Sequence, residues 1–190
     1  MKTCLLVGLT AALLATACKK DSLDPNGLVP ATQEGKNTGD FLLNGSPFSP
    51  QSRISSPGTK SVGASWGHTS RGGSNMHISF LRQEHDNNRT ERLFDVFIAN
   101  IRRPDTYQLQ DLASPVTVAG AQSFAIYTLP FTSPTFQPVY LTGPTSPGQV
   151  IITRFDTVAH IVSGTFEAKL RKYQGSDSVN ITQGRFDCTF

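Results

Sequence analysis

The chain has 190 residues, a formal net charge of +3 and only 16% charged residues. Its lysines and arginines are scattered along the sequence, so it lacks the basic patch of a nucleic-acid-binding surface, and we expect no nucleic-acid partner. Without a leader and a linker, roughly 150 residues remain, which suits a single domain that needs no metal or disulfide for stability.

The N-terminus has the pattern of an export signal. A lysine follows the first methionine, and residues 5–15 (LLVGLTAALLA) form an apolar run. This run has the length of a signal-peptide core and is too short to cross a membrane as a helix. Small residues in the segment 14–17 (LATA) precede Cys18, as in the lipobox of bacterial lipoproteins. We therefore predict a signal peptide over residues 1–17, cleaved just before Cys18.

Cys18 is the predicted lipid anchor, and the bilayer is therefore a predicted partner. In lipoproteins with such a box the thiol carries a diacylglyceryl group, and the new amino terminus is commonly acylated too. Two or more acyl chains hold a protein stably on a bilayer, whereas one binds only marginally. An ordinary secretory signal cleaved near Ala17 is the alternative. With Cys4 lost and Cys18 acylated, Cys188 has no partner in the chain, and no disulfide is expected.

Residues 18–39 are predicted to be the lipidated cysteine followed by a flexible linker. The segment has no apolar periodicity and is interrupted by Pro25, Gly27, Pro30, Gly35 and Gly39. Such a composition does not bury enough surface to offset the entropy of ordering. A coil of about 20 residues would span roughly 25 Å and hold the folded domain, residues 40–190, off the membrane.

The first half of the domain shows short strands separated by turn signals. Asn44-Gly45 supplies the positive φ angles of a tight hairpin turn. Residues 76–80 alternate apolar and polar side chains, which is typical of a half-buried strand. Residues 93–101 are apolar on both faces, which predicts a central strand. Further strands are predicted at residues 61–68, 106–109, 123–128 and 139–141.

The last third of the chain has the clearest strand pattern. Residues 150–155 are one strand, and residues 162–171 alternate over a long strand with one wet face. In the final strand the apolar residues change from odd to even positions. One extra residue, a β-bulge at Gly184, would put both sets on one face and bury Cys188. Ten or eleven strands without a helical stripe predict an all-β antiparallel sandwich, with a barrel as the alternative.

Several of these segments together resemble a known family. They are the Asn44-Gly45 hairpin, GQVIITRFD at 148–156, IVSGTFEA at 161–168 and VNITQGRF at 179–186. The pattern resembles a family of small, uncharacterised Bacteroidota lipoproteins, catalogued as domains of unknown function. The resemblance implies a lipoprotein with a β-rich fold. It brings no known activity, cofactor or catalytic residue to transfer.

The titratable residues suggest no metal site and no catalytic group. The histidines, His68, His77, His85 and His160, are not closely spaced with one another or with a cysteine, so no zinc pattern appears and no cofactor is expected. The triplet at residues 84–86 (EHD) is a polar hairpin tip. A weak metal contact is conceivable there, but a solvated turn is favoured.

Hydrolase signatures are also missing from the sequence. There is no G-x-S-x-G or S-x-x-K motif, and the glutamates are too scattered to nominate a pair for glycoside hydrolysis. Glu167 lies on the wet face of a long strand, and an exposed ion pair with Lys169 is expected. Four aromatic residues near irregular segments, Trp66, Phe131, Phe136 and Tyr140, could stack on sugars or peptides. The favoured alternative is that they cap the core.

These observations predict a non-enzymatic binding protein of the cell envelope, with a glycan or another envelope protein as ligand. A hydrolase of extracellular polymers and a purely structural envelope component are the alternatives. The start of the mature chain (CKKD, residues 18–21) is similar to that of many Bacteroidota lipoproteins. This similarity implies an outer-membrane location, on the periplasmic or the surface-exposed face.

Overall fold

The computed structural model describes residues 22–52, 60–68, 73–83, 91–111, 114–115 and 122–190. Within these ranges the protein has eleven strands and no helix, which confirms the all-β prediction. The strands are β1 (Thr38–Leu43), β2 (Ser46–Phe48), β3 (Val62–His68), β4 (Ser74–Gln83), β5 (Glu91–Ile98), β6 (Thr106–Leu109), β7 (Phe124–Thr128), β8 (Val139–Leu141), β9 (Gly148–Asp156), β10 (Ile161–Lys172) and β11 (Ser178–Thr189). None of the described segments forms an apolar helix of membrane-spanning length.

All eleven strands belong to one antiparallel sheet that curls into a half-barrel. The order is β2-β1-β11-β10-β8-β7-β5-β4-β3, and β9 pairs with β10 on one side and β6 on the other. The curl brings distant strands together: the ring of Trp66 on β3 lies 5.8 Å from that of Phe190, just after β11. Gln51, after β2, bridges to Arg82 on β4. Such a curled sheet is compatible with both the predicted sandwich and the barrel alternative.

The core fills the inner face of the curled sheet. Strands place every second side chain on the same face, and the predicted apolar residues of β4, Met76, Ile78 and Phe80, are fully buried there. Rings from three strands meet at its centre, with Phe94 and Phe166 5.3 Å apart and Phe80 and Phe166 5.2 Å apart. As predicted, β5 is central, because it pairs with β4 and β7.

The predicted hairpin is confirmed, and β11 contains the predicted bulge, but its extra residue lies at Thr182 and Gln183 and not at Gly184, which pairs regularly with Phe166. Asn44 and Gly45 have φ angles of 50° and 82° and join β1 to β2 in a tight turn. On β11 the register shifts by one residue opposite β10, and Gln183 takes the left-handed conformation with φ 54°. Gly184 is needed for a different reason, because a methyl group there would overlap the ring of Phe166.

The segment that enters β1 is ordered, and over residues 22–39 the structure corrects the flexible linker that was expected for residues 18–39. Residues 22–37, the docked segment, pack against the outer face of β1 and β11, and Leu28 is fully buried. A salt bridge of 2.9 Å joins Asp24 to Arg185 on β11. The amide of Val29 donates to Oδ2 of Asp40 on β1 at 2.6 Å. These contacts supply the free energy that the composition alone does not.

One buried carboxylate, Asp187 on β11, holds the second half of the docked segment. Its oxygens accept hydrogen bonds from the hydroxyl of Thr32 (2.6 Å) and from the amides of Glu34 (2.9 Å) and Gly35 (2.7 Å). Burial raises the pKa of Asp187, but these bonds and one from Ser163 outweigh it and lower the pKa to about 2. The carboxylate is therefore ionised at neutral pH and acts as the acceptor for a turn of backbone amides.

Candidate ligand-binding face

The wet face predicted for β10 is the centre of a polar surface that extends over four strands. Odd-numbered side chains of β10 point away from the core, because their even-numbered neighbours fill it. The adjacent strands β6, β9 and β11 add their own outward residues. The polar side chains that line this surface are three amides, one hydroxyl and two charged groups: Gln108, Gln149, Asn180, Thr182, Glu167 and Lys169.

The register of the strands aligns these residues in rows across the sheet. Gln108 of β6 lies opposite Gln149 of β9, which lies opposite Glu167 of β10. The side-chain amide of Gln149 donates to Oε1 of Glu167 at 2.7 Å. Lys169 of β10 lies opposite Asn180 of β11. Polar side chains in such rows present evenly spaced hydrogen-bonding groups to a ligand lying across the strands.

Two adjoining hollows run along this face and form the outer groove. Their volumes are about 490 Å³ and 470 Å³, and both are lined by Gln149 and Glu167. Pro147 borders the first hollow, and Ala31 of the docked segment borders the second. Ile151, which is 40% exposed, adds an apolar surface to the second hollow. The docked segment therefore forms one wall of the groove.

The chemistry of the outer groove is that of hydrogen bonding. Side-chain amides both donate and accept, which matches the hydroxyls of sugars and the amides of a peptide. Glu167 is the single carboxylate among the described lining residues. Lys169 and Arg185 are the cations, and Arg185 is held by Asp24 and by the carbonyl oxygen of Val29. The lining thus offers many weak polar contacts and one charge of each sign that faces a ligand.

The expected partner of Glu167 is different in the structure. We expected an exposed ion pair with Lys169, two residues further along β10. No such pair joins these two described residues, and Glu167 instead accepts the bond from Gln149 on the neighbouring strand. Residues two apart on a strand share a face but are more widely spaced than directly opposed residues on paired strands.

The four aromatic candidates divide into two groups. Tyr140 is buried in the core near Tyr127, and the partly buried Trp66 packs against Phe155. The favoured interpretation, that these rings cap the core, is confirmed for both. Phe131 and Phe136, in the loop between β7 and β8, are 43% and 53% exposed. They are the candidates that stay free to stack on a ligand.

The described histidines make protein contacts of their own. Nε2 of His77 lies 2.8 Å from Oδ1 of Asp95, and its ring stacks on Phe97 with centroids 4.4 Å apart. His68 lies against Trp66, and His160 takes a positive φ in the turn between β9 and β10. Across the described ranges, no three His, Cys, Asp or Glu residues are grouped closely enough to hold a metal ion.

Several predicted features lie outside the described residues. These are the signal peptide, Cys18 with its lipid anchor, and the EHD triplet at residues 84–86. They stay predictions. Cys188, in contrast, is described as a free, buried cysteine, as predicted. Burial raises the pKa of its thiol to about 12.

Glu167 could be identified from the sequence, but the residues that surround it could not. Gln108, Gln149 and Asn180 are outward residues on separate strands, and only the strand register brings them together. Comparison with protein-family models, with curated proteins and with solved structures found no match for this chain. The interpretation of the groove therefore depends on its geometry alone.

Proposed function

We propose that this protein is a lipid-anchored protein of the cell envelope that binds a glycan chain in the outer groove. The observation that carries the proposal is the groove itself: two adjoining hollows with both polar and apolar lining that share the hydrogen-bonded pair Gln149 and Glu167. A chain of sugars presents hydroxyls at regular intervals and apolar ring faces. The rows of amides complement the former, and the exposed Ile151 complements the latter.

The anchor part of the proposal is supported by the apolar leader and by the small residues before Cys18. Export with acylation would place the groove outside the cytoplasm, where envelope polysaccharides are found. A Cys18→Ala variant should then appear in the soluble fraction. Mass spectrometry of the mature native protein should show an acylated cysteine at its amino terminus. An unmodified terminus would remove the anchor from the proposal.

The ligand is tested by screening the protein on an array of bacterial and dietary glycans, followed by titration calorimetry of the best hit. Gln149→Ala removes a central groove amide and should weaken binding about tenfold, the loss expected for one or two hydrogen bonds. Gln174→Ala, in the turn between β10 and β11, is the matched control because it lies outside both hollows. It should bind like the native protein.

Two results would count against a glycan ligand. One is an array without signal above background. The other is an equal effect of the two glutamine variants, which would place the binding surface elsewhere. An envelope protein recovered by cross-linking from a photoreactive group at Gln149, and lost from a chain labelled at Gln174, would identify a protein ligand instead.

A further inference from the structure

The docked segment fixes the point at which the chain leaves the folded domain. From Asp24 onward it is held by the salt bridge to Arg185, by the burial of Leu28 and by the bond from Val29 to Asp40. Asp24, the first residue held in this way, is separated from Cys18 by only six residue steps. A fully extended chain covers roughly 3.5 Å per residue, so this connection reaches at most about 21 Å.

The surface beside this exit point is suited to a lipid headgroup layer. Leu23 is 59% exposed and lines a shallow hollow of about 300 Å³ together with Thr38, Ser49 and Pro50. We name these four residues the anchor-side surface. The single charged residue in the described lining of this hollow, Asp40, is almost completely buried. The four residues therefore offer an exposed leucine and hydroxyls, and the partly exposed carboxylate of the neighbouring Asp24 is paired with Arg185.

We infer that, in the acylated protein, the anchor-side surface lies directly on the lipid bilayer. This inference rests on the proposed acylation of Cys18 and adds an orientation to it. A 20-residue flexible linker would let the domain tumble at a distance from the membrane. The docked segment instead makes the connection short and fixes which side of the half-barrel faces the lipids. The connection contains Lys19, Lys20 and Asp21, and its net positive charge adds weak attraction to an anionic surface.

The orientation predicts that two exposed serines lie at different distances from the bilayer. Ser49 belongs to the anchor-side surface, although it is 31 positions after Cys18 in the sequence. Ser176 lies in the turn between β10 and β11. Arg185 lies beside the exit point, and Ser178 is the first residue of the same strand. The two are seven residue steps apart along β11, a distance of roughly 23 Å.

The test uses the full acylated protein with a fluorophore at Ser49→Cys or at Ser176→Cys. Cys18 is blocked by its lipid, and Cys188 is buried with a pKa raised to about 12, so the new cysteine is labelled selectively. The protein is reconstituted in vesicles of phosphatidylcholine and phosphatidylglycerol that contain a headgroup-linked quencher. We expect quenching at Ser49 to be several-fold stronger than at Ser176.

Two further variants test whether the difference in quenching depends on the docked segment. Insertion of about twelve Gly and Ser residues after Asp21 leaves the fold intact and lengthens the connection, and it should reduce quenching at Ser49 to the level at Ser176. Asp187→Asn weakens the docking and should move the result in the same direction. A chain that does not bind vesicles refutes the acylation and the orientation together, and it removes the anchor from the proposed function without affecting the test of the glycan ligand. A bound chain with equal quenching at both serines, or with quenching unaffected by the insertion, overturns the orientation alone.

Discussion

The hydroxyl of Ser163 on β10 donates a 2.7 Å hydrogen bond to Oδ1 of Asp187 on β11, where both residues are almost completely buried. The two are directly opposed in the β10–β11 ladder. Because Ser163 fixes one carboxylate oxygen, the side chain of Asp187 is oriented to receive the amides of Glu34 and Gly35. The hydrogen bond between two neighbouring strands thus orients the carboxylate that binds the docked segment.

Asp187→Asn should therefore destabilise the protein. The amide keeps the shape of the carboxylate but loses its charge, and its NH₂ group is directed toward other donors. We expect the free energy of unfolding to fall by about 2–3 kcal/mol, as for the loss of hydrogen bonds to a charged group. Urea denaturation measures the change. Asp177→Asn is the control, because that exposed residue pairs weakly with Lys172 and should cost well under 1 kcal/mol.

The pH dependence of the free energy of unfolding should show the titration of Asp187. The pKa of Asp187 falls from 3.8 to about 2 in the folded protein, so its contribution is complete above pH 4 and is lost as the pH falls through 2. The shift corresponds to about 2 kcal/mol. The ionisation of Asp40 has the opposite effect on stability, because burial raises the pKa of its carboxyl despite the bond from Val29. Denaturant midpoints between pH 2 and 5 should therefore decline less steeply for Asp187→Asn, and parallel curves would contradict this assignment.

Gly184→Ala tests the close contact between the bulge and the core. The added methyl group overlaps the ring of Phe166, so the ring must move within a cluster of phenylalanines. We expect a loss of about 1–3 kcal/mol in the free energy of unfolding. Gly63→Ala on β3 is the matched control, because its new methyl group meets an ordinary contact with Lys60 and should have little effect. Equal stability of the two variants would show that the ring adapts without strain.

The thiol of Cys188 should be unreactive in the native protein. It is fully buried, and that burial raises its pKa to about 12, so the reactive thiolate is scarce at pH 8. A soluble form with Cys18→Ser should react with a thiol reagent only after denaturation. A Ser176→Cys variant of the same form provides one exposed thiol and should react at once. Rapid labelling of Cys188 under native conditions would mean that the end of β11 opens readily.

The sequence was most informative where the structure depends on neighbours along the chain. The alternation in β4 and β10 and the Asn44-Gly45 turn are local patterns that were predicted correctly, and the bulge predicted at Gly184 lies at the two preceding residues. Strand register is not local. Gln149 and Glu167 are 18 positions apart, and no periodicity in either strand shows that they are directly opposed. The outer groove could be predicted as a wet face but not as a set of residues.

The docked segment was missed for a related physical reason. It contains one buried apolar side chain, Leu28, and its order comes mainly from hydrogen bonds to Asp40 and Asp187. A composition rich in Pro, Gly and polar residues predicts disorder when only its own burial is counted. Asp187 lies 152 positions from Gly35, and nothing in the sequence of residues 22–37 points to it.

The pairing of β1 with β11 has a consequence for the time at which this protein can fold. Apart from the β1–β2 hairpin, the first strand pairs only with β11, and the docked segment depends on Asp187 and Arg185 of that strand, so these contacts cannot form before β11 is available. Long-range closure of this kind is slow and completes late. If the chain is exported as proposed, a polypeptide that enters a translocation channel amino terminus first cannot form the β1–β11 pairing until β11 has emerged. This long-range pairing would then favour translocation before folding.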